Sequence, residues 1–553
     1  MASITKGAML FTLFLFSPVV LAARTAYVDL INATPYDWVL VHQHSYRMDW
    51  EPPATVSSGE NTETFVKWKK NNKDAAAEAT YKLDNPNEFE SFTIRARQNP
   101  TRIEVVFQEE LTSLNNPKNS VIDLGYLSKG AHPFILAGDG VNSSYIGTNP
   151  PTAWMQATLP TIGEKTLRTI TLPLAHNAGA SEVSHSLAGP GILHNTQAQS
   201  VPVYSQLVFG ARVLDIRPIF YKGDWLTYHG SLLWGTMWVA TGQRISSIVN
   251  DINRFTKDYP GELIILDITH DANSEKKYMP FDDEDWHRFY ETLGLIQDLW
   301  VEKEGTQYDL SKELLSAFIT PGSKSAVLIR LPCEAPAPLS GKDNRVKRAL
   351  SRGKRDACPK RDLYNPQLAL DLTPTSIPSS IESPPSNSST STPPSTLHPR
   401  TPFSPQTYLP SPRLPSLGSY SLTSSPSTLS ADQISKLRTY KSTPNSPILQ
   451  SSFTLTQPVF RTPDFARKGT SILGYAVLAQ RVLFGELWGE VTGLGMGLGG
   501  DRGGEMEVGK GNGGVEEIEV GNAVVRKPNW LEVDGLRNKD VAALAVAVNW
   551  WEG

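Results

Sequence analysis

Asp215, Arg217 and His229 fall within one short stretch, Gly210 to Gly230, that reads as strand, turn and strand. Side chains alternate along an extended strand, so Asp215 and Arg217, two positions apart, share a face. A turn is expected at Lys222-Gly223-Asp224. Centred on Gly223, it sets Arg217 opposite His229 at roughly 5 Å between Cβ atoms, a pairing that a slip of one residue would break. His176 follows a short apolar strand, Thr169 to Leu174. Two histidines at strand ends, with an arginine and carboxylates beside them, suit general acid–base cleavage of a phosphodiester. One imidazole takes a proton from the attacking hydroxyl and the other gives one to the leaving group. The arginine grips phosphoryl oxygens with a planar fork and stabilises charge that grows in the transition state. Taken alone, the same stretch also reads as a buried Asp–Arg ion pair with a capping histidine.

The elements that must position these groups follow from periodicity. Ile245, Ile248, Val249, Ile252 and Phe255 recur at helical spacing. Glu262 to Ile268 is apolar nearly throughout, as a strand buried on both faces would be. Asp285 to Trp300 reads as a helix and Ser325 to Leu331 as a further buried strand. Alternating strands and helices predict a parallel α/β sheet or barrel, with chemistry at the strand ends. Later in the chain a strand is expected over Ser452 to Gln457, a helix over Ile472 to Leu487, a strand Asn529 to Asp534 that ends in an acid, and a last helix from Lys539 to Trp550. Before all of this, residues 24–140 alternate in short runs, such as Phe92, Ile94 and Ala96, and predict a small β-sandwich. His42 and His44 lie on one of its strands without an evident carboxylate partner. Residues 142–159, with Pro150-Pro151, read as a linker.

Two segments interrupt the pattern. Residues 366–446 turn to Pro, Ser and Thr, where no packed core is expected. Residues 493–521 are glycine-rich; Gly504 to Lys510 begins a phosphate-loop pattern, but Gly511 follows where Ser or Thr is needed, so a flexible loop is expected.

At 553 residues with 39% hydrophobic side chains, the chain has room for two or three cored domains. A net charge of −4 with no large basic block argues against nucleic acid as a partner. Lys6, an apolar run from Ala8 to Leu21 and the ending Val20-Leu21-Ala22 predict a secretory signal peptide over residues 1–22; an uncleaved anchor is the alternative, though the run is shorter than the roughly 20 residues of a span. Sequons at Asn32, Asn142 and Asn387 agree with a secreted glycoprotein. Cys333 and Cys358, the two cysteines, could close one loop but make no disulfide scaffold.

Leu174-Ala175-His176-Asn177, Gly210-Ala211-Arg212-Val213-Leu214-Asp215-Ile216-Arg217, Tyr228-His229-Gly230 and Glu262-Leu263-Ile264-Ile265-Leu266-Asp267 occur in the order and spacing of one catalytic module. The chain resembles the X-domain family of phosphatidylinositol-specific phospholipase C, over about residues 169–273, 453–457 and 529–549, and its layout is similar to the fungal secreted phospholipase-C-like phosphodiesterases. The resemblance implies a distorted TIM-type barrel over residues 155–553. It implies His176 as general base, His229 as general acid, Arg217 on the phosphate, Asp215 assisting at the leaving-group side and Asp534 orienting His176, with Asn177, Arg217 and Tyr228 binding substrate. The calcium-dependent branch has a carboxylate where Arg217 stands and a Glu where Thr269 stands. Neither is present, so the resemblance is to the metal-independent type and no cofactor is expected. The bacterial pattern has Asp at the position of Asn177 and a Lys near Thr269; Asp267 and His270 to Asn273 are a conceivable substitute cluster.

The expected partner is a phospholipid or inositol phosphodiester, with peripheral membrane contact. Two other readings stay open: a metal-dependent glycerophosphodiesterase or sphingomyelinase-like enzyme, and a catalytically weak lipid-binding surface protein.

Overall fold

The computed structural model describes residues 24–69, 74–140, 145–188, 191–233, 236–301, 309–320, 322–332, 335–336, 408–410, 414–440, 446–457, 470–493 and 527–551. The expected signal peptide, both cysteines and all but the first residue of the glycine-rich loop lie outside them.

The N-terminal region packs a five-stranded sheet on a six-stranded one. In the six-stranded sheet, Ala76–Leu83 buries every second residue, the period-two signature of a strand with one face inward. Phe92 of that sheet meets Phe134 of the other at 4.6 Å between ring centroids. His42 does have a carboxylate near it, Glu78 on the adjacent strand at 3.5 Å, but both side chains are exposed. The sequon at Asn32 is corrected. Its side chain is buried, donates to the carbonyls of Tyr36 and Val56 and accepts from Thr34, so it offers no amide for a glycan in the folded chain. Asn142 and Asn387 lie outside the described residues.

The C-terminal region is built on eight strands in the order Tyr408–Pro410, Ala326–Leu331, Leu263–Ile268, Val213–Ile216, Leu172–Ala175, Trp530–Val533, Ile448–Phe453 and Ser416–Gly418. All their pairings are parallel. Leu263–Ile268 is buried at every position, because elements cover both faces of a parallel sheet. The first, second and last strands of the region are neighbours at its middle. The two edge strands follow one another in the chain, and among the described residues no pairing joins them. The helices Trp154–Ile162, Ile245–Asp258, Asp283–Leu293, Pro426–Thr439, Ile472–Thr492 and Asp540–Trp550 accompany this sheet.

The two regions share a layer. In the strand Arg24–Ala33, Val28 and Leu30 enter the sandwich core while Ile31 and Ala33 enter the core of the parallel sheet. Helix Ile472–Thr492 lies against this layer: Arg481 forms a two-pronged ion pair with Glu63 at 2.6 and 2.7 Å, and Trp488 donates to the Gly59 carbonyl.

Three expectations are corrected. The turn after Tyr221 has two central residues, Lys222 and Gly223, both with positive φ (50° and 80°), as a tight hairpin matched to strand twist demands. Pro218 therefore faces Thr227 and Tyr221 faces Asp224, one step from the expected register. The Arg217 carbonyl accepts from the Tyr228 amide, and His229 is not its cross-strand partner. The expected linker at 142–159 contains the start of helix Trp154–Ile162, whose first amides at Met155 and Gln156 donate to the buried Glu262 carboxylate. Part of residues 366–446 is packed structure. Ser425 caps helix Pro426–Thr439, which buries Leu429, Ile434 and Leu437. Ser425 serves as the cap and Thr423 accepts from the Ser425 amide in the turn before it, so composition alone misjudged this part.

Candidate active site

Parallel register sets the site. Ala175 pairs with Val533, which brings His176 beside Asp534 at the same end of the sheet, and Val213–Ile216 on the other side of Leu172–Ala175 delivers Asp215 and then Arg217. The chain leaves the parallel sheet after Ile216 and enters a second, five-stranded sheet at Pro218. Arg217 stands at that junction.

His176 is 9% exposed. Its Nδ1 lies 2.6 Å from Asp534 Oδ1 and its Nε2 lies 2.8 Å from Arg217 Nη2. Since a guanidinium only donates, Nε2 is the acceptor and Nδ1 carries the proton that Asp534 receives. Burial presses the His176 imidazole towards the neutral form, but the Asp534 carboxylate outweighs it and, with Arg217 opposing, the pKa stands above its ordinary value. The Asp534 loop is itself held: Gln480 donates to the Asp534 carbonyl, and Gln199 donates to the carbonyls of His176 and Val533.

Asp215 is a buried hub. Oδ2 accepts from Arg217 Nε at 2.9 Å and from the Asn177 amide at 2.9 Å, and Oδ1 accepts from Thr269 at 2.6 Å. Burial would raise its pKa, yet the charges of Arg217 and His176 and the Thr269 bond hold it well below the usual carboxylate range. In the same way burial is overcome at Arg217, where Asp215 keeps the guanidinium firmly charged.

His229 completes the group. Its ring stands edge-on to His176, 6.3 Å between centroids. Its Nδ1 bonds to the Thr196 carbonyl at 2.9 Å, a neutral acceptor, and among the described residues no hydrogen bond is made by Nε2. Burial, then the positive charge of Arg217 and His176, push its pKa down to about 4. The two histidines are thus driven apart by the presence of a carboxylate behind one of them only.

Two expected substrate contacts do not reach the site. Tyr228 is half-buried in a small cluster with Ile219, Leu226 and Ala272, and its hydroxyl donates to the His270 carbonyl at 2.5 Å; strand alternation turns it away from its neighbour His229. Asn177 is fully buried at φ 44°, and its side-chain amide has no hydrogen-bond partner among the described residues. It lies behind the site and its backbone, not its side chain, serves Asp215. The conceivable substitute cluster is structural too: Asp267 pairs with Arg330 at 2.5 Å, Asp271 accepts from the Phe281 amide, and Asn273 caps the turn at Ser274–Lys276. Arg212, from the quoted motif, is fully buried in an ion pair with Glu262 at 2.6 Å at the far end of its strand.

Two residues of the site were not anticipated. Glu532 is buried and lies two positions before Asp534, hence on the same strand face, a signal that period two could have supplied. Burial raises its pKa, with His176 opposing. Tyr420 sits edge-on to His176 at 5.4 Å and its hydroxyl bridges Arg217 Nη2 (3.0 Å) and Glu532 Oε1 (2.9 Å). It comes from the segment whose composition argued for no core. His176, Asp215 and Glu532 bring ligand-type atoms within 4.8 Å of one another, and Arg217 bonds two of these three residues.

No family model matches the chain, and no curated protein matches it. Among solved structures it is similar to a mutant of phosphatidylinositol-specific phospholipase C from Staphylococcus aureus, with 13% identity and a TM-score of 0.39 over 72% of this chain and 98% of that one. A second mutant of the same enzyme aligns at 14% identity and a TM-score of 0.38 over 73% and 99%.

Proposed function

We propose that the chain is a phosphodiesterase of the phosphatidylinositol-specific phospholipase C type, acting without a metal on an inositol phospholipid or a glycosylated relative. One observation carries it: an arginine is bonded at once to the base-type histidine and to the hub carboxylate, with the second histidine at ring-contact range. In the proposed cycle His176, fixed by Asp534, takes the proton of the inositol 2-hydroxyl as its oxygen attacks phosphorus. The bond from phosphorus to the diacylglycerol oxygen breaks, and His229 gives that oxygen a proton. A cyclic phosphate results, which water opens in a second step with the histidine roles exchanged. Arg217 supplies the fixed positive charge for the phosphoryl oxygens. The reading includes closure of the eight strands into a distorted TIM-type barrel, a secreted location from the leader at 1–22, and substrate met at a membrane surface.

The test is release of cyclic inositol phosphate by purified protein, followed by phosphorus NMR with and without a chelator. His176→Ala and His229→Ala should each abolish release, and chelation should leave the wild-type rate intact. Loss of activity on chelation would transfer the site to a metal-dependent reading, for which His176, Asp215 and Glu532 are the ligand set at hand. Vesicle binding without turnover would favour the lipid-binding alternative.

A further inference from the structure

We infer that Tyr420, anchored by Glu532, is a positioning residue that aims Arg217; the inference rests on the proposed phosphodiesterase site and names a member of it outside every motif of the sequence. Arg217 Nη2 faces three acceptors: Asp215 Oδ2 at 2.8 Å, His176 Nε2 at 2.8 Å and the Tyr420 hydroxyl at 3.0 Å. Nε is committed to Asp215. Among the described residues Nη1 has no acceptor, so its two hydrogens are the ones left to meet a phosphoryl oxygen.

Asp215 alone would let the guanidinium swing about the shared carboxylate oxygen. The Tyr420 hydroxyl stops this, because it accepts from Nη2 while donating to Glu532 Oε1, whose other oxygen accepts from Gln450 at 2.8 Å. Its orientation is therefore set at both ends. The backbone before it is also pinned: Gln433 and Lys436 of helix Pro426–Thr439 both donate to the Ser419 carbonyl, and Gln433 in turn accepts from the Ser452 amide of the parallel sheet. A helix that composition gave no reason to expect thus locks one hydroxyl against the arginine of the site. With its hydroxyl used in both directions, Tyr420 acts through Arg217 and not on the substrate directly.

The experiment compares wild type, Tyr420→Phe and Glu532→Gln in protein labelled with nitrogen-15 at arginine. Tyr420→Phe keeps the ring against His176 and removes only the hydroxyl. Resolved Nη proton signals of Arg217, the mark of slow guanidinium rotation, should be present in wild type and merge in Tyr420→Phe, while those of Arg212, buried elsewhere, stay unchanged. The inhibition constant of inorganic phosphate should weaken about tenfold to a hundredfold, the worth of one hydrogen bond to a charged group, with kcat/KM falling alongside. Glu532→Gln leaves one oxygen where Tyr420 and Gln450 each need an acceptor, so its Arg217 signals and phosphate inhibition should shift in the same direction as those of Tyr420→Phe. Unchanged Arg217 signals and phosphate inhibition in Tyr420→Phe overturn the inference. So does loss of the Arg212 signals in that variant, which would make Tyr420 a residue of the fold. If wild type turns over no phosphodiester yet the Arg217 signals merge as described, the functional reading fails and the positioning role stands.

Discussion

Replacing Asp534 by Asn isolates the contribution of the carboxylate behind His176. The substitution preserves shape and removes one charge from a pair whose members are 2.6 Å apart and at most 9% exposed. Breaking one side of a buried charge pair costs about 3–5 kcal/mol. At about 1.36 kcal/mol per decade, kcat should fall by about two to four orders of magnitude if that interaction is fully developed in the transition state. The linkage has a definite sign. The pKa of His176 is raised in the folded chain, so its protonation adds stability that is fully present below its unfolded value, about 6.5, and is lost as pH rises through the folded value. Asp534→Asn removes the source of that rise, so its loss of melting temperature should be larger at pH 5 than at pH 9. Release of cyclic phosphate followed by phosphorus NMR and thermal unfolding at the two pH values check both parts. A kcat within threefold of wild type, or a melting-temperature loss at pH 5 no larger than at pH 9, refutes the reasoning.

Other outcomes follow from the same geometry. His229→Ala should lose about a hundredfold or more on an alkyl phosphodiester, the usual scale for a missing general acid, and far less on a nitrophenyl diester whose leaving group needs no proton. His176→Ala should lose comparably on both, and a matching pattern for the two variants would contradict the roles assigned. Deletion of residues 24–140 strips Glu63 from Arg481 and uncovers the core around Ile472–Thr492, so the remainder should be aggregated or melt well below the full chain. A soluble remainder with the full chain's melting temperature would show the shared layer to be dispensable.

Most of the parallel sheet was legible because its strands are short apolar runs with helical periodicity between them. Leu263–Ile268 and the helix Ile245–Asp258 fall where the pattern put them. The shared face of Asp215 and Arg217 was likewise legible in strand alternation, whereas spacing set Arg217 against His229, and its contact with His176 came from the meeting of parallel strands. What escaped has physical reasons. The hairpin register turned on the conformation of Lys222, a non-glycine residue in the left-handed region, which residue type alone does not announce. The resemblance gives Tyr228 to the substrate, and strand alternation points it elsewhere. Tyr420 lies far from every other member of the site in the sequence, in a Ser/Thr-rich segment where capping chemistry imitates low complexity. Asp534 was reached through the resemblance, whereas its companion Glu532, two residues earlier on the same face, needed only the period of the strand.

The low pKa of His229, about 4, fits the proposed part as the acid once the charge of a phosphodiester is counted. In the free site burial, Arg217 and His176 hold the imidazole neutral, and its hydrogen-bond partner among the described residues is a carbonyl without net charge. A phosphodiester would carry a negative charge into this group and offset the guanidinium of Arg217 that depresses the pKa. Its arrival therefore draws a proton to His229 Nε2, the nitrogen that the Thr196 bond does not use. Binding of the anion would thus charge the proposed acid as the substrate arrives. Arg217 is the group whose field the anion offsets at His229, and a neutral lipid in the same place would not trigger the change.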